Sequence, residues 1–227
     1  MSEAKERPIL FSGPMVRAIL EGRKTVTRRA AKNVVEASYF RSGWEATQPK
    51  GSGSIDITSD AAQLGKACPY GRPGDRLWVR EAWLADAQLD SIVPRNLSQG
   101  EPIMYPADGS VRQTGCAMVS QGRGRPSIHM PRWASRILLE ITDVRVERLQ
   151  DISEQQAIAE GIVGVPFRPD DGWPICTGYM ADPDDGKTPL ETHASKAFAG
   201  LWRSINGPES WDANPWVWAI EFKRIQQ

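Results

Sequence analysis

The stretch from Ser135 to Leu149, "SRILLEITDVRVERL", constrains the fold more than any other part of the chain. Ile137, Leu139 and Ile141 alternate with Arg136, Leu138 and Glu140, and the alternation resumes at Val144 and Val146. A period of two is what a β-strand imposes on its side chains, so a long strand is predicted here. It runs directly into "DISEQQAIAEGI", where Ser153 stands three residues before Gln156, the spacing of a capping box, and Gly161 supplies a stop. A helix from about Glu154 to Glu160 follows, with a carboxylate as its last residue.

Other elements sort around this pair. Ser12 followed by "GPMVRAILEG" predicts a short helix with a capping hydroxyl, Pro14 in its first turn and Gly22 as its stop. "YGRPGDRLWVREAW" predicts a turn at Asp75 feeding a half-buried strand, with Leu77 and Val79 on one face and Trp78 and Arg80 on the other. Residues 107–128 read as a turn-rich connection, a helix is expected from about Leu190 to Ile205, and a final strand alternates Trp216, Trp218, Ile220 and Phe222. Two long insertions are expected. Residues 38–68, rich in Gly, Ser and Thr with Ile55 and Ile57 alternating, predict a loop or hairpin, and the Pro-, Gly- and Asp-dense segment at about 165–190 predicts an irregular one. The fold class is α+β. Strands outnumber helices and lack regular helical crossovers, which favours a compact small mixed β-barrel with flanking helices in one domain spanning 1–227.

The 227 residues carry 28 basic and 28 acidic side chains, a balance that argues against a protein coating nucleic acid non-specifically. With no apolar run long enough to span a bilayer and no signal-peptide core in "MSEAKERP", a cytoplasmic protein without a membrane partner is expected. Three cysteines, Cys68, Cys116 and Cys176, lie far apart without a CxxC spacing, so neither a disulfide framework nor a metal site is expected, and no cofactor is implied.

Against this neutral background, "EGRKTVTRR" at Glu21 to Arg29 gathers one lysine and three arginines directly after the first helix. Basic residues at a helix end complement the dipole, and Arg17, Arg23, Arg28 and Arg29 also make a candidate anion or nucleobase clamp. Among the nine tryptophans most are expected in the core, with Trp44 and Trp83 as candidates to stack on a flat base. "GRGRPSIHMPRWASR" offers Arg123, Arg125 and Arg132 as a possible nucleic-acid contact strip.

Three pieces together, "LEGRKTVTRR" after a short helix, "GDRLWVRE" opening a strand, and a long strand followed by "LQDISEQQAIAEGI", resemble the ASCH domain, a relative of the PUA fold. In this elaborated form the chain is similar to ASCH-domain proteins of phages and prophages. The resemblance covers about half the chain and implies a PUA-like barrel with a cleft for a nucleoside or RNA. The family signature Gly-x-Lys-x-x-Glu-x-Arg reads here Gly22, Lys24, Thr27, Arg29, with threonine in place of glutamate. A branch of small ASCH proteins that hydrolyses N(4)-acetylcytidine carries threonine there too. By that resemblance Lys24, Thr27 and Glu160 are the catalytic residues of an amidohydrolase that removes the acyl group from N(4)-acylated cytidine-type nucleosides or nucleotides.

Amide hydrolysis needs a nucleophile, a proton acceptor and donors for the oxyanion. Thr27 supplies the first, and Lys24 and Glu160 share the other two. A regular strand would put Lys24 and Thr27 on opposite faces, so this chemistry predicts a turn, bulge or helical turn over 23–27. Two other functions stay open: a PUA-like RNA or modified-base binding module without catalysis, and an ASCH-type ribonuclease.

Overall fold

The computed structural model describes residues 4–31, 34–35, 55–56, 68–113, 115–169, 174–183 and 185–226, the pairs at 34–35 and 55–56 by backbone alone. In chain order the elements begin with strand β1 (Glu6–Leu10), helix α1 (Gly13–Leu20), strand β2 (Val26–Ala30), the two-residue strands β3 (Val34–Val35) and β4 (Ile55–Asp56), and β5 (Arg76–Arg80). They continue with β6 (Ile103–Tyr105), β7 (Ser110–Arg112), β8 (Leu138–Arg148), α2 (Glu154–Ala159), β9 (Val163–Phe167), β10 (Cys176–Met180), α3 (Ala194–Asn206) and β11 (Trp216–Ile225). The organisation is mixed α+β. The expected closed barrel is not present among the described residues, whose strands form open sheets. No described helix is long and apolar enough to cross a membrane.

The chain divides into two compact units. The first gathers the residues up to Lys24, Asp75–Glu140 and those from Lys223 onward; the second gathers Thr25–Gly74 and Ile141–Phe222.

In the first unit β1 runs parallel to β5, with Glu6 opposite Arg76 and Leu10 opposite Arg80. β5 runs antiparallel to β8, pairing Trp78 with Leu138. Ile9, Leu77, Val79, Ile137 and Leu139 are all buried, as the period of two requires of one sheet face. The predicted solvent face is less open than its alternation implies, because Trp78 is also buried. A second cluster joins Trp83, Leu97, Ile103, Tyr105 and Met130, and the connection read as turn-rich contains β7, which pairs with β6. Glu81, at the end of β5, is buried against Arg136, which reaches it through two nitrogens at 2.9 Å and reaches Asp108 at 2.7 Å. Helix α1 starts after Ser12 as predicted, but the Ser12 side chain makes no capping hydrogen bond. The helix ends where Gly22 turns to φ +76°, a conformation that strains residues bearing a Cβ.

In the second unit β11 pairs antiparallel with β2, setting Ile220 opposite Thr27 and Trp218 opposite Arg29. Leu149, Ile152, Ala157, Ile162, Phe198, Trp202 and Val217 form its core. Helix α2 carries the predicted capping box in full: Ser153 Oγ accepts from the Gln156 amide and Gln156 Oε1 accepts from the Ser153 amide. Glu154 then caps α3, accepting from the Ala194 amide at 2.6 Å and the Ser195 hydroxyl at 2.5 Å. The Ser195 hydroxyl holds the Glu154 carboxyl below its ordinary range; burial opposes it, and the Ala194 and Ser195 amides add to the lowering. The insertion expected to be irregular at 165–190 is instead ordered in part as the antiparallel hairpin of β9 and β10, with Pro166 opposite Thr177. Of the insertion at 38–68, only Ile55 and Asp56, paired in parallel with Val34 and Val35, and Cys68 are described; Ile57 lies outside the described residues.

Candidate functional site

Two segments far apart in sequence meet in the second unit. The Thr25 amide donates to the Ala159 carbonyl at 2.9 Å, and the Thr25 carbonyl accepts from the Phe222 amide at 2.9 Å. The basic segment is thereby fastened between the last residue of α2 and strand β11. From Val26 it continues as β2, so side chains alternate: Thr27 and Arg29 share one face, Val26 and Arg28 the other.

Arg28 ties this segment to the predicted carboxylate. Its side chain is fully buried, with Nη2 2.5 Å from Glu147 Oε1 and Nη1 3.3 Å from Glu160 Oε1. Arg28 Nε has no acceptor. Glu160 follows α2 directly and is 3% exposed, its amide donating back to Gln156 and Ala157. A carboxylate there faces the negative end of the helix dipole and loses hydration, and the Arg28 guanidinium offsets both. Arg29, half-buried on the opposite face, has its guanidinium pKa lowered, chiefly by burial, with Tyr70 and Glu160 acting against the shift.

Thr27 is 3% exposed. The turn, bulge or helical turn predicted over 23–27 is not found there: the turn lies at Glu21 and Gly22, residues 23–25 are irregular, and Val26 and Thr27 already belong to β2. Lys24 belongs to the first unit. Its amide donates to the Ala18 carbonyl at 3.0 Å, and its buried ammonium lies 5.7 Å from the centre of the Phe11 ring.

The remaining predicted residues separate. Arg17 donates to the Ala107 carbonyl at 3.1 Å, and Arg23 pairs with Glu21 at 2.5 Å. Trp44 lies outside the described residues. Trp83, expected to offer a stacking face, is instead fully buried in the first unit's core with the Arg125 guanidinium 5.2 Å from its ring centre. The expected strip of three arginines is broken for the same reason. Arg125 is buried and donates to the carbonyls of Leu89 and Ile92, closing the loop beneath it. Arg123 is exposed with its amide on Asp90, and Arg132 pairs with Glu6 at 2.9 Å. Glu147 is the member of the site that sequence reasoning missed, because its position late in β8 carries no motif.

Among the described residues no group of three or more His, Cys, Asp or Glu could hold a metal ion, and Cys68, Cys116 and Cys176 are not joined in disulfides. The second unit thus brings the Glu147 and Glu160 carboxylates onto the Arg28 guanidinium, with Glu160 also acting on Arg29, while Thr27 stands on the other face of β2 from Arg28. That set can accept a proton at a fixed carboxylate and hold an anionic or carbonyl oxygen. No protein-family model, no curated protein and no solved structure matches this chain.

Proposed function

We propose that this chain is an amidohydrolase that removes the acyl group from N(4)-acylated cytidine-type nucleosides or nucleotides, on a PUA-like variant of its α+β fold. The observation that carries the reading is the buried Arg28–Glu160 pair, together with the backbone bond from Thr25 to Ala159. These contacts join the two segments, 132 residues apart, that the ASCH resemblance names as catalytic.

In this reading the Thr27 hydroxyl attacks the acyl carbon and passes its proton to Glu160. The tetrahedral oxyanion takes hydrogen bonds from cationic donors. Its collapse breaks the carbon–N4 bond, N4 leaves as the cytosine amine after taking up the proton, and water then releases the acid from Thr27. Arg28 positions the Glu160 carboxylate, and Arg29, on the face of Thr27, is the donor for the base or phosphate. Lys24 enters from the resemblance alone, as an oxyanion donor or second base.

Incubation of the protein with N(4)-acetylcytidine tests this, with cytidine and acetate followed by chromatography. Thr27→Ala and Lys24→Ala are expected to abolish turnover, and Glu160→Gln to lower it by about 10²–10⁴-fold. Absence of turnover in the folded wild type, or full activity in Thr27→Ala, refutes the proposal.

A further inference from the structure

Strand β11 divides its side chains between two faces. Val217 enters the core formed with Leu149, Ala157 and Trp202, so Trp218 points to the opposite face. The register with β2 identifies what else stands there: Trp218 lies opposite Arg29 and Ile220 opposite Thr27. Directly opposed residues of an antiparallel pair share a face, and diagonal neighbours stay within reach of an aromatic side chain. Thr27, Arg29, Trp218 and Ile220 therefore form one patch, in which Thr27, Trp218 and Ile220 are buried.

Trp218 is 1% exposed, and its buried Nε1–H has no acceptor among the described residues. Buried donors in native folds are almost always paired, so one without a partner asks for a reason, and a role in catalysis is such a reason. Two other described indoles share this condition, and neither faces the site. Trp83 belongs to the first unit, with the Arg125 guanidinium over its ring. Trp202 of α3 is packed in the core against Phe198, their ring centres 6.2 Å apart. Of the three, Trp218 alone stands on the face of Thr27.

We propose that the Trp218 Nε1–H is a neutral oxyanion donor of the Thr27 site, beside the cationic ones, an inference that rests on the deacylase reading. As the Thr27 oxygen bonds to the acyl carbon, the π electron pair of the carbonyl moves onto its oxygen. The indole N–H hydrogen-bonds to that oxygen and keeps its own proton. When the carbon–N4 bond breaks, the pair returns to the carbonyl and the hydrogen bond weakens. A donor with no partner in the resting protein has none to release when charge develops, and burial strengthens its effect. The indole donates and does not accept, so it also selects the substrate. A carbonyl oxygen on N4 fills the donor, whereas an N(4)-alkyl cytidine leaves it unpaired and is rejected.

Trp218→Phe removes the N–H and keeps an aromatic ring on the strand. Its kcat for N(4)-acetylcytidine is expected to fall about 10²-fold with KM little changed, the pattern of a contact made in the transition state. Trp202→Phe makes the same chemical change in the core and should leave kcat at the wild-type value. A second measurement needs neither turnover nor a Trp218 variant. In Thr27→Ala protein the indole nitrogen–proton resonance of Trp218, assigned through its backbone, is expected to move downfield when N(4)-acetylcytidine is added and to stay in place with N(4)-methylcytidine. If folded wild type turns over no N(4)-acetylcytidine, the deacylase reading fails and this inference with it. If wild type does turn it over, and either folded Trp218→Phe matches its kcat or the indole resonance does not move, the inference alone is overturned.

Discussion

Replacing Arg28 by methionine removes the one guanidinium that bridges Glu147 and Glu160, and the cost follows from where it leaves those carboxylates. Arg28 has no exposed side-chain surface, Glu160 has 3% and Glu147 has 19%. Methionine fills the stem volume, so little of the loss comes from a cavity. What remains is a buried carboxylate that has lost the Arg28 guanidinium, and breaking a buried pair in this way costs about 3–5 kcal/mol. For a chain of this length that corresponds to a melting temperature lower by about 6–20 °C. The shorter bond is to Glu147, at 2.5 Å against 3.3 Å for Glu160, so bond length alone would make Glu147 the more damaged partner. Burial argues the other way, because water reaches Glu147 and can rehydrate it. Glu160→Gln in the Arg28→Met background is therefore expected to recover more stability than Glu147→Gln does. Urea unfolding of the single and double variants measures this. If Arg28→Met lies within about 0.5 kcal/mol of wild type, the pair is not buried in solution. If Glu147→Gln is the better rescuer, distance and not desolvation sets the cost.

Asp108 gives a pH signature. Burial acts to raise its carboxyl, but hydrogen bonds from Arg136 and from Ser110 overcome it and hold the carboxyl at about 2, against an ordinary 3.8. A depressed carboxyl stabilises the fold above its unfolded value, so stability should fall as pH drops from about 4 to about 2, and Asp108→Asn should flatten that part of the melting curve against pH. Glu81 acts in the opposite sense: burial raises its carboxyl, with Arg136 opposing, so its contribution declines as pH rises above the ordinary glutamate value, and comparison with Asp108→Asn isolates the two. Ser153→Ala should cost about 1 kcal/mol in urea unfolding by removing the first half of the capping box, and Ser153→Gly should cost less.

Elements with one dominant local signal were legible in the sequence. The capping box and glycine stop of α2, the alternation of β8 and β11, and the α3 helix all appear where periodicity or end chemistry put them, within a few residues. Pairings that depend on distant partners were not. β1 contains Pro8, which reads as a breaker, yet at Pro8 the strand needs no second row of hydrogen bonds because its ladder partner is β5. The β9–β10 hairpin hides behind Gly164 and Pro166 for a similar reason: in a two-stranded ladder a missing amide costs little. Within the candidate site, the motif around Thr27 and the helix-end Glu160 were legible, but their connection through Arg28 and the presence of Glu147 depend on tertiary packing. Trp83 and Arg125 misled in the other direction. A tryptophan and an arginine in a basic, glycine-rich context look like surface contacts, and here the Arg125 guanidinium lies over the buried Trp83 ring and donates to the carbonyls of Leu89 and Ile92.

The boundaries between the two units fall after Lys24, Gly74, Glu140 and Phe222, so the chain passes from one to the other four times and no single cut releases either. The third and fourth passages occur inside β8 and β11, where a strand begins in one unit and finishes in the other. During synthesis the first unit must wait for residues beyond Phe222 before its complement is present, although its other segments are made by Glu140. A nascent chain halted within the second unit would hold the Arg76–Arg80 strand and its neighbours without the closing segment that bears Lys223, the partner of Glu140. A deletion of the residues after Phe222 is therefore expected to register as a defect in the unit that holds Glu140 and the Arg76–Arg80 strand, far from the cut in sequence.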